Sequence, residues 1–263
     1  MVQFLYSLPH WLLGVLVSTG VVALSLAAYA AFRRITRTEF TADDRGLAMS
    51  VLGVVATITS LLLAFSAVSV WESFGAAEEA VVHEGDTIGK LARDLAVFDT
   101  PESREARELL RRYARVVVDE EWIAMRSGEA SAEAWLIADN LFRAIGRMDA
   151  DTPRHMALLP EIWARVNELV GHRRDRLYTS QAEVPATLWI VVMAGTMMTM
   201  LTVFVLPPTR FNVAMVALLA FSLGLVFFFI IAMDRPFAGT ESISTAPFES
   251  AIDNMQKWDA TTP

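Results

Sequence analysis

The sequence contains no cysteine among its 263 residues. Disulfide bonds, thiolate metal sites and cysteine nucleophiles are therefore excluded. Histidine is scarce as well, and the spacing of the four histidines, His10, His83, His155 and His172, matches no metal-ligand motif. A glycine-rich phosphate loop and a nucleophile elbow are also missing. The sequence therefore predicts no metal and no cofactor, and it gives no support for an enzyme.

Positive charge is in short supply, with 22 lysines and arginines against 30 acidic residues. The formal net charge of −8 leaves no basic surface of the kind that binds nucleic acid, so we predict no nucleic-acid partner. Strand signals are scarce too, because no alternating apolar run is bounded by a tight glycine turn. The scarcity of strand signals favours an all-α protein.

Charge of either sign is missing from four apolar stretches, and the mean hydropathy of the chain is +0.40. The uncharged stretches are residues 1–32, 46–71, 184–209 and 211–233. Each is long enough for the roughly 20 apolar residues that cross a hydrocarbon core, and a segment in lipid must satisfy its own backbone hydrogen bonds as a helix. We therefore predict an integral membrane protein with four transmembrane helices, near 11–32, 47–71, 187–206 and 213–233.

The order of these stretches predicts two helix pairs separated by an acidic helical insert. The predicted parts are the first pair in 1–71, the insert in 72–186, the second pair in 187–233 and a tail in 234–263. The insert carries 22 acidic and 15 basic residues, and its apolar residues recur at helical spacing. Because no proline interrupts residues 70–80, the second span is expected to continue into the insert as one helix.

The distribution of arginine bears on orientation in the plasma (inner) membrane. Loop 33–46 holds four arginines and the loop between the last two spans holds Arg210, which favours a cytoplasmic position for both loops. The insert and both termini would then share the extracytoplasmic side. Three arginines just before the third span and Arg235 after the fourth favour the opposite orientation.

Four segments of the chain form a recognisable pattern, of which MDRPFAGTESIS at 233–244 is the most specific and the others lie at 61–95, 109–122 and 184–195. Taken in order, they resemble the bestrophin-like family of bacterial membrane proteins, and the resemblance spans about residues 47–245. The resemblance implies four spans, two on each side of a helical insert. By analogy with the family name it also implies an oligomeric ion channel, although a shared fold does not fix an activity.

The most specific segment supplies a structural motif. It consists of Asp234, Arg235, Pro236, Phe237 and Gly239. Proline cannot continue the helical hydrogen-bond pattern and glycine tolerates positive φ, so the last span is expected to end here. The motif is either an interfacial helix terminator or a fixed Asp–Arg element at a pore mouth or subunit contact.

Acidic residues after the second span are candidates for an ion path. Glu84 lies on an apolar helical stripe, where a carboxylate must be paired. It either pairs with Arg112 or Arg115, or it faces a permeation path or a bound cation. Three further acids, Glu72, Glu79 and Asp86, repeat every seven residues on one side of the helix. In a symmetric ring they would form stacked acidic rings that attract cations, and in a monomer they would be a solvated face.

Hydroxyl groups are the polar groups found within the spans. The pore or ion-path candidates are Thr57, Ser60, Ser66 and Ser69 in the second span and Thr196, Thr199 and Thr202 in the third. They either bond to carbonyls of their own helix, or they line a narrow aqueous pore. We therefore predict a homo-oligomer in the lipid bilayer that acts as a passive channel for inorganic ions, favouring cations. The alternative is a non-transporting scaffold or sensor whose insert binds a partner or ligand.

Overall fold

A computed structural model of the chain describes residues 9–36, 40–239 and 242–261. Within these residues the regular secondary structure is helical, which confirms the all-α prediction. Helix α3 begins as Pro101–Val116, passes through a π-helical segment at Val117–Glu121 and ends as Trp122–Met125. The other helices are α1 (His10–Thr36), α2 (Ala42–Phe98), α4 (Ala132–Gly146), α5 (Pro153–Ser180), α6 (Ala186–Val203), α7 (Arg210–Met233) and α8 (Ala246–Thr261).

Four helices of the described chain are long and apolar enough to cross a membrane. They are α1, α2, α6 and α7, and each contains one predicted span, except that α6 ends at Val203, three residues earlier than predicted. The protein is thus a multi-pass membrane protein. Helix α2 is 57 residues long and continues without a break from the second span into the insert, as the absence of proline predicts.

Contacts between residues divide the chain into two compact units. The membrane unit contains the described residues within Met1–Ser73, Glu183–Arg235 and Gly239–Glu241. Its helices pack through small residues, since a Cβ atom added to Gly224 of α7 would lie 2.7 Å from Ser18 Cα of α1. Close approach of this kind is typical of helices packed in lipid. The four-part division of the chain relative to the membrane stays a prediction.

The insert unit contains Phe74–Ala182, Pro236–Ala238 and the described part of Ser242–Pro263. The second half of α2 packs with α3, α4, α5 and α8 around one hydrophobic core. Helix α3 starts at a capping box, in which Thr100 and Ser103 each accept from the other's backbone N–H. Sequence analysis did not predict α8, whose side chains Phe248 and Met255 are fully buried in this core.

Candidate functional site

The membrane-spanning part of α2 exposes a stripe of large apolar side chains. We call this set the outer stripe, and it consists of Leu47, Val51, Val54, Ile58, Leu61, Phe65 and Val68. The spacing alternates between four and three residues, which keeps the side chains on one side of a helix. Glu72, Glu79 and Asp86 continue this spacing, and all three are exposed. One side of α2 therefore changes from apolar to acidic along its length.

The three acids differ in their surroundings. Asp86 forms an ion pair of 2.5 Å with Lys90 one turn further on, so its charge is partly neutralised. The carboxylate of Glu79 lies 3.8 Å from His83 Nε2. Glu72 borders a groove of about 450 Å³ in the membrane unit, together with Trp71 and Phe229. Of these three acids, Asp86 is thus the one whose carboxylate is paired with a lysine among the described residues.

Most of the candidate hydroxyl groups bond to carbonyls of their own helix. The donors Thr57, Ser60, Ser66, Thr199 and Thr202 lie 2.7–2.9 Å from carbonyl oxygens three or four residues earlier. Ser66 and Thr199 are also buried inside the membrane unit, where Thr199 lies 3.3 Å from Thr59 of α2. These two therefore serve helix packing.

The remaining hydroxyls divide by exposure. Thr57, Ser60 and Ser69 of α2 are exposed, and Thr202 is half-buried. Thr196 Oγ1 is buried without a hydrogen-bond partner among the described residues. It borders a groove of about 730 Å³ whose other lining includes Met193 and Met197 and is almost entirely apolar. At about 100° per residue, Thr57 and Ser69 lie to either side of the acids around α2, whereas Ser60 lies about 100° from Glu79.

The exit motif ends α7 and fixes the start of α6. Asp234 is the C-cap of α7, and its Oδ1 accepts a hydrogen bond of 2.8 Å from the backbone N–H of Val184. Burial raises the pKa of Asp234, the Val184 N–H opposes this rise, and the neighbouring Glu183 adds to it. Arg235 pairs with Glu183. Both charged residues of the motif thus contact the segment that precedes α6.

Pro236 and Phe237 of the motif belong to the insert unit, and Gly239 belongs to the membrane unit. Phe237 is buried and meets Trp122 edge-on, with ring centroids 5.4 Å apart. The Pro236 carbonyl accepts a hydrogen bond of 2.9 Å from the backbone N–H of Ile243. Gly239 has a φ of 96°, as the sequence predicts for a turn that needs glycine.

A fully buried cluster of charged side chains lies in the core of the insert unit. Glu84 of α2 forms hydrogen bonds of 2.6 and 3.1 Å with Arg176 of α5 and accepts one of 2.5 Å from the Tyr113 hydroxyl. The prediction of Arg112 or Arg115 as its partner is wrong. Arg112 pairs with Glu133 at the surface and Arg115 is exposed.

Glu121 and Arg173 complete the cluster. Arg176 also donates to Glu121 at 2.8 Å, and Arg173 donates to Glu121 at 2.6 Å. The backbone N–H of Ser131 adds a bond of 3.1 Å to the same carboxylate. Two carboxylates and two guanidinium groups balance in charge, as buried ions must. Glu121 is the last residue of the π-helical segment, a feature that often marks functional positions.

Aromatic rings enclose the two arginines. The Arg173 guanidinium lies 4.1 Å from the centre of the Trp135 ring, and the Arg176 guanidinium lies 5.5 Å from that of Phe248. Cation–π contact stabilises a desolvated guanidinium by about 2 kcal/mol. The Met125 sulfur accepts from Arg176 Nη1 at 3.0 Å. The aromatic rings thus lower the cost of removing these charges from water.

The protonation states in this cluster are held by its own charges. Burial opposes the ionised form of Glu121, but hydrogen bonds from Arg173 and the charges of both arginines outweigh it and lower the pKa. Burial also opposes the charge of Arg176, and the adjacent Glu84 raises its pKa above the ordinary value. Burial and the Glu84 carboxylate raise the pKa of Tyr113 well above 10.0, so its hydroxyl remains a donor.

Comparisons with known proteins agree with this architecture. The family described as the Bestrophin-like domain matches residues 19–248. One point variant of a bacterial bestrophin homolog from Klebsiella pneumoniae is 11% identical, with a TM-score of 0.64 over 94% of this chain and 98% of that chain. Another is 13% identical, with the same TM-score over 96% and 98%. A comparison with curated proteins gave no match.

The fold and these features define an all-helical membrane protein with two helix pairs, one on each side of a helical insert. Because the family match covers most of the chain, the protein belongs to the bestrophin-like family. The low identity to the solved structures supports the shared fold alone.

Proposed function

We propose that the protein is a homo-oligomeric, passive ion channel that favours cations. The observation that carries this proposal is the side of α2 on which the outer stripe is followed by three exposed acids. In the described part of the four-helix membrane unit, most candidate hydroxyls bond to carbonyls of their own helix and leave no polar lining for a passage within one subunit. An ion path would therefore form between subunits.

The α2 helix suits such a path because of its charge pattern. Repeated around a symmetry axis, Glu72, Glu79 and Asp86 become acidic rings that raise the local concentration of cations. The apolar outer stripe would form the narrow part of the path, where hydration controls passage. Charged residues within the membrane, which pumps and voltage sensors need, are missing from all four apolar stretches of the sequence. A passive pathway fits this pattern best.

The first test is chemical cross-linking in membranes, followed by ion flux in vesicles of purified protein. Oligomers and a flux of Na⁺ and K⁺ that exceeds that of Cl⁻ are expected. Glu72→Gln and Glu79→Gln should each reduce the preference for cations, by about twofold or more, because each removes one charge per subunit from a ring. Asp86→Asn should have a smaller effect because Lys90 already neutralises part of that charge.

The matched control is Glu78→Gln, which removes the same charge from an exposed neighbour that lies 100° around the helix. It should leave selectivity unchanged. A monomeric protein, or an equal effect of Glu78→Gln and Glu79→Gln, would contradict the proposed path. An oligomer that conducts no ion would favour the alternative of a scaffold or sensor.

A further inference from the structure

Two histidines meet at the surface of the insert unit, on the seam between α2 and α5. The rings of His83 and His172 have centroids 5.3 Å apart and are tilted by 52°. The His83 side chain is 51% exposed, so the seam opens to solvent at this point. Imidazole is a good ligand for Zn²⁺, Cu²⁺ and Ni²⁺.

We propose that His83 and His172 form a Zn²⁺ site, with Glu79 as its third protein ligand. The spacing of the rings matches such a site. With Zn–N bonds of about 2.0–2.1 Å, the ion lies about 3.2 Å from each ring centre, and a tetrahedral angle then separates the two centres by about 5.2 Å. The observed separation is 5.3 Å. A square-planar ion would require about 4.5 Å for adjacent ligands or about 6.4 Å for opposite ones, so the observed separation favours Zn²⁺ over Cu²⁺.

The position of Glu79 adds a second geometric match. Its Oε1 lies 3.8 Å from His83 Nε2. Two ligand atoms of a tetrahedral zinc ion are about 3.3 Å apart, so a small side-chain rotation brings this oxygen to the third position. Within the described residues no group of three or more ligands is already arranged to hold an ion. The site is therefore a two-histidine chelate that Glu79 completes on binding, with water in the fourth position.

The bound ion would act on the helix that carries the proposed ion path. Two ion pairs already join α2 to α5 along this seam, Glu84 with Arg176 and Asp94 with Arg165. A zinc ion on the solvent side would add a third link one residue away from Glu84. It would also neutralise Glu79. Zinc would thus inhibit cation flux, and this last step rests on the proposed function.

The test is calorimetric titration of Zn²⁺ into the metal-free, detergent-solubilised protein, purified without a histidine tag. We expect one ion per chain and at least tenfold weaker binding for His83→Ala and for His172→Ala, since loss of even an outer-shell partner costs about 10–100-fold. His10→Ala, at the start of α1, is the matched control and should bind as wild type does. The variant His172→Cys should retain binding because a thiolate also ligates zinc. This retention separates ligation from any effect on folding.

Unchanged affinity in both alanine variants, or loss of binding in His172→Cys as well as in His172→Ala, would overturn the site. So would the failure of wild-type protein to bind Zn²⁺ at millimolar concentration. The flux consequence is measured separately in vesicles. If wild type conducts, Zn²⁺ should lower its cation flux and should not lower that of the His83→Ala variant. If wild type does not conduct, the titration still decides whether the site exists.

Discussion

The buried charged cluster allows a quantitative prediction about the stability of the insert unit. Glu84→Leu and Arg176→Leu each remove one partner of an ion pair in which both side chains are fully buried. Each substitution leaves one net charge in the core, which costs about 3–5 kcal/mol of the free energy of unfolding. The double variant restores the balance of charge, because Glu121 and Arg173 still pair.

The double variant should therefore be less destabilised than the sum of the two single variants by about 2 kcal/mol or more. Some loss will remain, since Tyr113 no longer has the Glu84 carboxylate as an acceptor. Denaturation can be followed by near-ultraviolet circular dichroism, because Trp122 and Trp135 contact the two arginines. Cross-linking of the same samples shows whether assembly survives.

The matched control is the surface pair of Arg112 and Glu133, whose side chains are 62% and 37% exposed. Removal of either partner should lower the free energy of unfolding by at most about 1 kcal/mol. Single substitutions in the cluster that cost as little as this would refute the reasoning. Strict additivity in the double variant would refute it too. If Glu84→Leu instead abolishes ion flux while stability and assembly stay unchanged, Glu84 belongs to the ion path.

The same cluster predicts how stability depends on pH. The folded state lowers the pKa of Glu121 below its ordinary value of 4.5, so this residue adds stability above that pH, and the contribution is lost as the pH falls below it. The folded state raises the pKa of Tyr113 above 10.0, so stability falls as the pH rises beyond that value. Tyr113→Phe should reduce the alkaline loss and leave the acid loss. Urea denaturation across this range measures both effects.

Two further predictions concern the insert unit and the exit motif. A Cβ atom at Gly85 would lie 2.8 Å from Pro247 at the start of α8. Gly85→Ala should therefore displace α8, which increased proteolysis of this helix would reveal. Gly89→Ala is the control and should have no such effect, because the space around Gly89 is open. Asp234→Asn should have the thermal stability of wild type, because its amide oxygen still accepts from the Val184 N–H. Asp234→Ala should lower the free energy of unfolding by about 1–3 kcal/mol, because it leaves that N–H without an acceptor.

The features of the fold that the sequence predicts correctly are those that follow from long apolar segments and from the positions of proline and glycine. The four spans, the continuous α2 and the turn at Gly239 follow from hydropathy, the absence of proline and the demand for positive φ. Helix α8 was not predicted although its buried residues Phe248, Ala251 and Met255 recur at helical spacing, because its exposed polar and charged residues resemble a solvated tail. The side of the membrane that the insert occupies stays a prediction, since arginines lie on both sides of the spans.

The partner of Glu84 was predicted wrongly for a reason that the apolar stripes make clear. The helix nearest to α2 in the sequence is α3, but its Arg112 and Arg115 are exposed and lie outside its apolar stripe. The buried residues of α5 are Ile162, Val166, Leu169, Arg173 and Arg176. Those of α3 step by four residues through the π-helical segment, from Tyr113 to Val117 to Glu121.

Helices α2, α3 and α5 thus each carry charged residues at buried positions of their apolar stripes. These are one acid on α2, one acid on α3 and two arginines on α5. A buried charge must be compensated by another buried charge. The rule that follows is that charged residues on apolar stripes pair with one another before they pair with residues on exposed faces. Applied to the sequence, this rule selects Arg173 and Arg176 and rejects Arg112. It also predicts that a second charge reversal on α5 is needed to rescue any charge reversal at Glu84.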